Sequence, residues 1–246
     1  MKTHHFYAVI IGSEILNARR EDKHFIFIRN ALISRGYTLF SAFILKDDIE
    51  LIRSIFTIIK NDPVGVLFSF GGIGSTPDDL TRAIASDVFG DGILVSHEQF
   101  HRDIIERFGE QAYPHRINMA MLPKNAALLP NIINNMSGFS LENRYFFMPG
   151  FPEMSHPMVE EALERFYPKA SATYRKTLIA QTSENTLIDV MEKLSPDVDF
   201  SSLPMINKEN PTVEISIAST DESLCKKNFE LFIRDLMAKS IPFEIL

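Results

Sequence analysis

Short apolar runs alternate with longer amphipathic stretches through the first two thirds of the chain, and this pattern predicts a regular succession of strands and helices. Phe6 to Ile11 reads as a first strand, Asp22 to Ser34 as a helix closed by Gly36, and Tyr37 to Leu45 as a second strand. Asp47 to Asn61 then reads as a helix and Val64 to Phe70 as a third strand. A βαβαβ series with connections of this length forms parallel crossovers. The expected fold is therefore α/β and three-layered, a mostly parallel sheet with helices on both faces. A helix from Pro77 to Phe89 follows, then helical stretches near His97 to Phe108 and Arg116 to Met121, strands around Ala126 to Leu129 and Arg144 to Met148, and a helix from Glu153 to Phe166. Pro168 to Ala172 reads as a linker. Beyond it come a strand (Tyr174 to Gln181), a helix (Asn185 to Leu194), two strands (Leu203 to Ile206 and Thr212 to Ser219), a helix (Glu222 to Ala238) and a strand (Phe243 to Leu246), the order of a small α+β domain with a mixed sheet. The expected domains are residues 1–167 and 174–246.

Within this pattern, Val66 to Leu80 (VLFSFGGIGSTPDDL) carries the most chemistry. An apolar strand runs into Gly71, Gly72 and Gly74, which let the backbone take positive φ and let a ligand approach main-chain N–H groups without a Cβ in the way. Thr76 suits an N-cap, Pro77 the first helical position and Asp79 the third position after the cap. A helix start with free N–H groups favours a phosphate or another oxyanion. Asp78 and Asp79 would repel that phosphate unless a divalent cation lay between them, so the loop suggests phosphate with Mg²⁺ or a similar ion. Thr76-x-x-Asp79 is equally a capping box with a purely local role. The loop matches neither a Walker A motif nor G-x-G-x-x-G.

Asp47 and Asp48 follow the second strand directly. Strands of a parallel sheet share one C-terminal edge, where Asp47 can meet the glycine turn and complete a metal site with Asp79. Asp47-x-x-Glu50 also reads as a capping box for the next helix. His97-Glu98-Gln99-Phe100-His101 matches the zinc-protease pattern H-E-x-x-H, but Ser96 reads as an N-cap and His97 as the first, exposed helical residue, which is the wrong setting for a buried zinc helix.

Bulk properties narrow the function classes. A net charge of −7 argues against a partner bound by broad phosphate neutralisation, so nucleic acid is not expected. Cys225 alone excludes an intrachain disulfide and fits a reducing compartment. No apolar run reaches membrane-spanning length and the first strand begins too early for a signal peptide, so the expectation is a cytoplasmic protein without a membrane partner.

Three segments in order resemble one family. Ile11-Gly12-Ser13-Glu14-Ile15-Leu16 with Asp22 is similar to its opening G-[DTN]-E-[IL]-L…D-[TS]-N. Gly71 to Thr81 resembles T-G-G-[LI]-G-P-T-x-D-D-[LI]-T, and Met148-Pro149-Gly150-Phe151-Pro152-Glu153-Met154 resembles L-P-G-x-P-x-E-[ML], with Met119 to Pro123 as a further matching segment. The family is the molybdopterin-binding fold shared by MogA, MoaB and the N-terminal part of the competence/damage-inducible protein CinA.

The resemblance implies that Asp79, Asp47 and Asp78 are catalytic, with Asp79 and Asp47 also holding a divalent metal (Mg²⁺, Mn²⁺ or Co²⁺). It further implies that Gly12, Ser13, Glu14, Asp22, Gly71, Gly72, Gly74, Ser75, Thr76, Pro149 and Gly150 bind a small phosphorylated ligand, nucleotide or pterin. The activity implied is that of a metal-dependent nucleotide pyrophosphatase of the ADP-ribose type. Binding or adenylylation of molybdopterin in cofactor biosynthesis is the alternative, and non-catalytic ligand binding a third. A homo-oligomer and a KH-like domain over 174–246 are implied in the same way. Nothing resembles the CinA amidase region, so nicotinamide-nucleotide deamidation is not implied. Ala18 stands where a glycine is usual, and Lys23-His24 replaces Thr-Asn on a loop expected to border the ligand.

Overall fold

The computed structural model describes residues 4–169, 174–205 and 211–246, and the chain divides into two compact units, Met1–Ala170 and Ser171–Leu246. The end of the expected linker and Ile206 lie outside the described residues.

The first unit runs β1 (His5–Ile11), α1 (Ser13–Leu16), α2 (His24–Ile33), β2 (Leu39–Leu45), α3 (Ile49–Asn61), β3 (Gly65–Phe70), α4 (Thr81–Phe89), β4 (Leu94–Ser96) and α5 (Glu98–Phe108). Two 3₁₀ turns, Gly109–Ala112 and Arg116–Ala120, lead to β5 (Met121–Pro123), β6 (Ala127–Leu129), β7 (Gly138–Leu141), β8 (Tyr145–Met148) and α6 (Pro152–Phe166). The main sheet has the order β2-β1-β3-β8-β7-β6. Its first four strands are parallel, and β7 runs antiparallel to both of its neighbours.

Strand periodicity sorts the core into two layers. Along β1, Tyr7, Val9 and Ile11 pack with α3, α4 and α5, whereas Phe6, Ala8 and Ile10 pack with α2 and α6. Successive side chains of a strand point to opposite faces, and both faces of this one are covered. Helix α3 shows the complementary spacing: Ile52, Phe56 and Ile59 are buried on one stripe.

Several boundaries differ from the expectation. Helix α4 begins at Thr81 rather than Pro77, because Thr76 to Asp79 form a turn in which the Asp79 N–H donates to the Thr76 carbonyl at 3.0 Å. Asp48, not Asp47, caps α3, accepting from the Leu51 N–H at 2.9 Å. Likewise His97, not Ser96, precedes α5, with φ −78° and ψ 111°. His97 is thus the extended cap residue, its carbonyl accepting from the His101 N–H at 2.9 Å, and of the two histidines of H-E-x-x-H only His101 lies within the helix. Strands β5 and β7 and helix α1 have no counterpart in the periodicity. Ala18 takes a left-handed φ of 60°, which accounts for the glycine usual at that position.

The second unit runs β9 (Tyr174–Ala180), a 3₁₀ turn (Glu184–Leu187), α7 (Ile188–Met191), β10 (Asp199–Met205), β11 (Thr212–Ser219), α8 (Glu222–Ala238) and β12 (Phe243–Ile245). Its sheet, β10-β11-β9-β12, is antiparallel throughout rather than mixed. The βαββαβ order is that of a split βαβ unit. One face of the sheet is covered by α8, through Cys225, Phe229, Phe232 and Leu236. The single cysteine is therefore a buried core residue. Among the described residues no helix is long and apolar enough to cross a membrane.

Candidate functional site

The parallel strands β1, β2, β3 and β8 all end at one edge, and a cavity of about 610 Å³ opens there. Ile11 at the end of β1 and Gly12 after it, Asp47 after β2, the glycine turn after β3 and Pro149-Gly150 after β8 all line it. This is the edge at which α/β sheets bind ligands.

The glycine turn is held from inside. Asp79 folds back over it: Oδ1 accepts from the Gly74 N–H at 2.7 Å, and Oδ2 accepts from the Thr76 N–H at 2.8 Å and the Thr76 hydroxyl at 2.6 Å. Thr81 donates its hydroxyl to the Gly71 carbonyl at 3.0 Å and its N–H to the Gly72 carbonyl at 2.9 Å. Beneath the turn, the buried Arg82 guanidinium donates to the carbonyls of both Ile73 and Gly74. Burial lowers the Arg82 pKa, and the nearby Asp79 charge opposes that shift. Gly71 and Gly72 have φ of 100° and 70°, a conformation open to glycine. With the loop carbonyls engaged, the N–H groups of Gly72, Ile73 and Ser75 have no acceptor among the described residues.

Asp47 bridges two crossover units. Its Oδ2 accepts from the Ser13 N–H at 2.8 Å and the Ser13 hydroxyl at 2.7 Å, fixing the start of α1 against the end of β2. Asp47 and Asp79 both line the cavity, with Asp78 exposed at the loop tip and Glu14 on the α1 side. Gly71, Gly72, Gly74, Ser75, Thr76, Pro149 and Gly150 line it as well. Ser13 and Asp22 do not. Ser13 serves Asp47, and Asp22 accepts from the His24 and Phe25 N–H groups at 2.8 and 3.0 Å, holding the first turn of α2.

The departure at His24 therefore lies behind the ligand space rather than beside it. The His24 ring is 3% exposed, stacks on Phe70 with centroids 4.4 Å apart, and places Nε2 3.4 Å from the Gly150 carbonyl. His156 lies against it edge-on at 5.4 Å and stacks on Phe27 at 3.7 Å. Burial, together with the neighbouring His24, lowers the His156 pKa to about 4, and burial lowers that of His24.

Of the far wall, only Phe100, inside H-E-x-x-H, and Met119, at the start of a matched segment, fall within the sequence motifs. Phe100, Arg107 and Phe108 of α5, Arg116 and Met119 of the second 3₁₀ turn, and Asn134 and Met136 before β7 form it. Arg20, Phe151 and Met154 close the rim near β8, the Arg20 guanidinium lying 5.5 Å from the Phe151 ring. Phe151 and Met154 fall inside a matched segment, but their place on the wall depends on the fold. A second cavity of about 690 Å³ lies against Ser75, Thr76, Arg82 and Arg116. Among the described residues no three His, Cys, Asp or Glu side chains cluster as a ready-made metal site, at H-E-x-x-H or elsewhere.

Comparison with known proteins agrees with this architecture. Residues 7–169 match the model of the probable molybdopterin binding domain. A protein of Pyrococcus furiosus is 29% identical over 96% of this chain and 96% of its own length. A CinA-like protein of Citrifermentans bemidjiense is 32% identical over 62% of this chain, which spans only 38% of that relative. The crystal structure of the protein CinA from Thermoplasma acidophilum superposes with a TM-score of 0.58 at 25% identity, over 65% of this chain and 97% of that one. With its match extending from β1 to the end of α6, and with similarity to CinA-like proteins over that part, the chain belongs to the molybdopterin-binding domain family.

Proposed function

We propose that the cavity binds a phosphorylated small molecule of the nucleotide class, its phosphate resting on the glycine-turn amides, and that the protein hydrolyses a nucleotide pyrophosphate of the ADP-ribose type with a divalent cation. The observation that carries this reading is that Gly72, Ile73 and Ser75 line the cavity and that their N–H groups have no protein acceptor among the described residues. Preorganised N–H donors stabilise charge that develops on a phosphoryl oxygen without reorganising at the moment of reaction.

The donor set fits a hard cation. Asp47 keeps one carboxylate oxygen unengaged and Asp79 keeps its outer lone pairs, and two carboxylates beside a substrate phosphate suit Mg²⁺, Mn²⁺ or Co²⁺ better than zinc. Once bound, such an ion supplies neutralisation between carboxylate and phosphate and acidifies water. Asp79 shapes the turn, Asp47 ties the end of β2 to the start of α1, and the exposed Asp78 would orient the attacking water.

A pterin-type ligand, with molybdopterin bound or adenylylated at the same amides, is the second reading, and the family match over residues 7–169 favours it. Its flat ring would lie against the apolar wall of Phe100, Phe108 and Met119. Incubation with ADP-ribose and Mg²⁺, Mn²⁺ or Co²⁺ tests the first reading. AMP should form with wild type and fall by about a hundredfold or more with Asp79→Asn. No AMP from wild type, with calorimetric binding of molybdopterin, would replace hydrolysis by the pterin reading. Ligand binding without turnover of either kind would make the protein a binding module.

A further inference from the structure

One wall of the cavity carries two guanidinium groups on one aromatic ring. Arg107 and Arg116 come from different segments, the last turn of α5 and the start of a 3₁₀ turn, and lie 5.4 and 4.7 Å from the centroid of Phe108. Each is steadied by one main-chain acceptor: Arg107 donates to the Asn134 carbonyl at 2.9 Å and Arg116 to the Gln111 carbonyl at 2.8 Å. Neither has a carboxylate partner among the described residues, although the chain carries a net charge of −7. Arg20, on the other rim, differs in lying 4.0 Å from Glu14.

A guanidinium presents five N–H donors in a planar fork that matches phosphate and carboxylate. One carbonyl and one ring fix each plane and leave most of those donors unused. The carboxylates of the cavity, Glu14, Asp47, Asp78 and Asp79, come from α1, the end of β2 and the glycine loop, so the α5 and 3₁₀ wall contributes cations and no carboxylate.

From this arrangement we propose that Arg107 and Arg116 hold a second anionic group of the ligand, distinct from the phosphate on the glycine turn, and so select molecules with two anionic groups over singly phosphorylated ones. The inference rests on the reading that a phosphate occupies the turn. Phe108 acts as a positioning residue that keeps both forks facing the cavity.

Calorimetric titration of the full chain with AMP, ADP and adenosine 3′,5′-bisphosphate tests it. Wild type should bind ADP or the bisphosphate about tenfold or more tightly than AMP, a difference of the size of one charge-assisted contact. The double variant Arg107→Gln/Arg116→Gln should lose that preference while its AMP affinity stays within about twofold, and Arg107→Lys/Arg116→Lys should restore part of it. The salt dependence for the doubly anionic probe should flatten with the Gln pair. Equal weakening of all three probes, no weakening of any, or a wild type without preference would overturn the inference while leaving phosphate at the turn intact. A wild type that binds none of the probes would overturn both readings.

Discussion

At the glycine-turn end of the cavity the polar side chains are engaged within the protein: Asp79 accepts three bonds from the turn, Asp47 two from Ser13, and Arg82 holds two carbonyls from below. At the arginine end the pattern is reversed, since Arg107 and Arg116 each spend a single donor on a carbonyl and face solvent. The first end is a rigid frame whose side chains act through the backbone they shape. The second presents side chains directly. The contrast separates two kinds of mutational outcome: damage at the turn should reach both stability and binding, whereas damage at the far wall should reach binding alone.

The largest effect is expected beneath the turn. Arg82→Met removes a buried charged donor from two carbonyls and should destabilise by about 3 kcal/mol, lowering Tm by roughly 6–12 °C. An unchanged melting curve would remove Arg82 from the frame. Asp79→Ala comes next. It frees three donors that water can partly reach, so about 2 kcal/mol is expected, together with loss of measurable AMP binding in calorimetry. Destabilisation with full retention of AMP affinity would break the link between the turn's shape and its ligand.

A pH-dependent effect of about 1 kcal/mol, discounted for partial exposure of the ring, is expected from His156 behind Gly150. Its folded pKa of about 4 lies below the ordinary 6.5, so the unfolded chain takes up the proton first. This contribution is complete above pH 6.5 and is lost as pH falls toward 4. His156→Phe, which can keep the stack on Phe27, should flatten that part of a Tm–pH profile, and an unaltered slope would show that the histidine pair does not stay neutral. The smallest effect on stability is expected at the far wall. Arg107→Gln/Arg116→Gln should shift stability by no more than about 0.5 kcal/mol, as for exposed positions without ion pairs, and a larger shift would mean that the guanidiniums serve the fold.

The two ends also differ in how far the sequence reveals them. The frame is contiguous, from Val66 to Thr81, and its glycines and aspartates are local signals. Even there the helix starts later than its local signals indicate. Thr76-Pro77 has the chemistry of an N-cap and first helical residue, yet Asp79 bonds to the Gly74 and Thr76 amides instead, and the turn postpones α4 to Thr81. Asp47 and Asp48 are equivalent to a capping rule. What separates them is a contact 34 residues away, at Ser13, which local spacing does not encode.

The far wall joins α5, whose helical period is legible, to a short 3₁₀ turn and the loop before β7, which are too brief for a hydrophobic period, and nothing local shows that these segments meet. Strand β7 leaves no periodic signal for the same reason: Gly138–Leu141 is four residues long and opens on a glycine. The parallel core was legible because β1 and β3 are covered on both faces and composed accordingly.

The most direct test of the account follows the three unpartnered amides themselves, by titrating AMP into ¹⁵N-labelled protein and recording amide shifts. The account predicts that the Gly72, Ile73 and Ser75 resonances move most, and that Asp79→Ala abolishes their response. Shifts centred elsewhere, with these three amides unmoved at saturation, would contradict it.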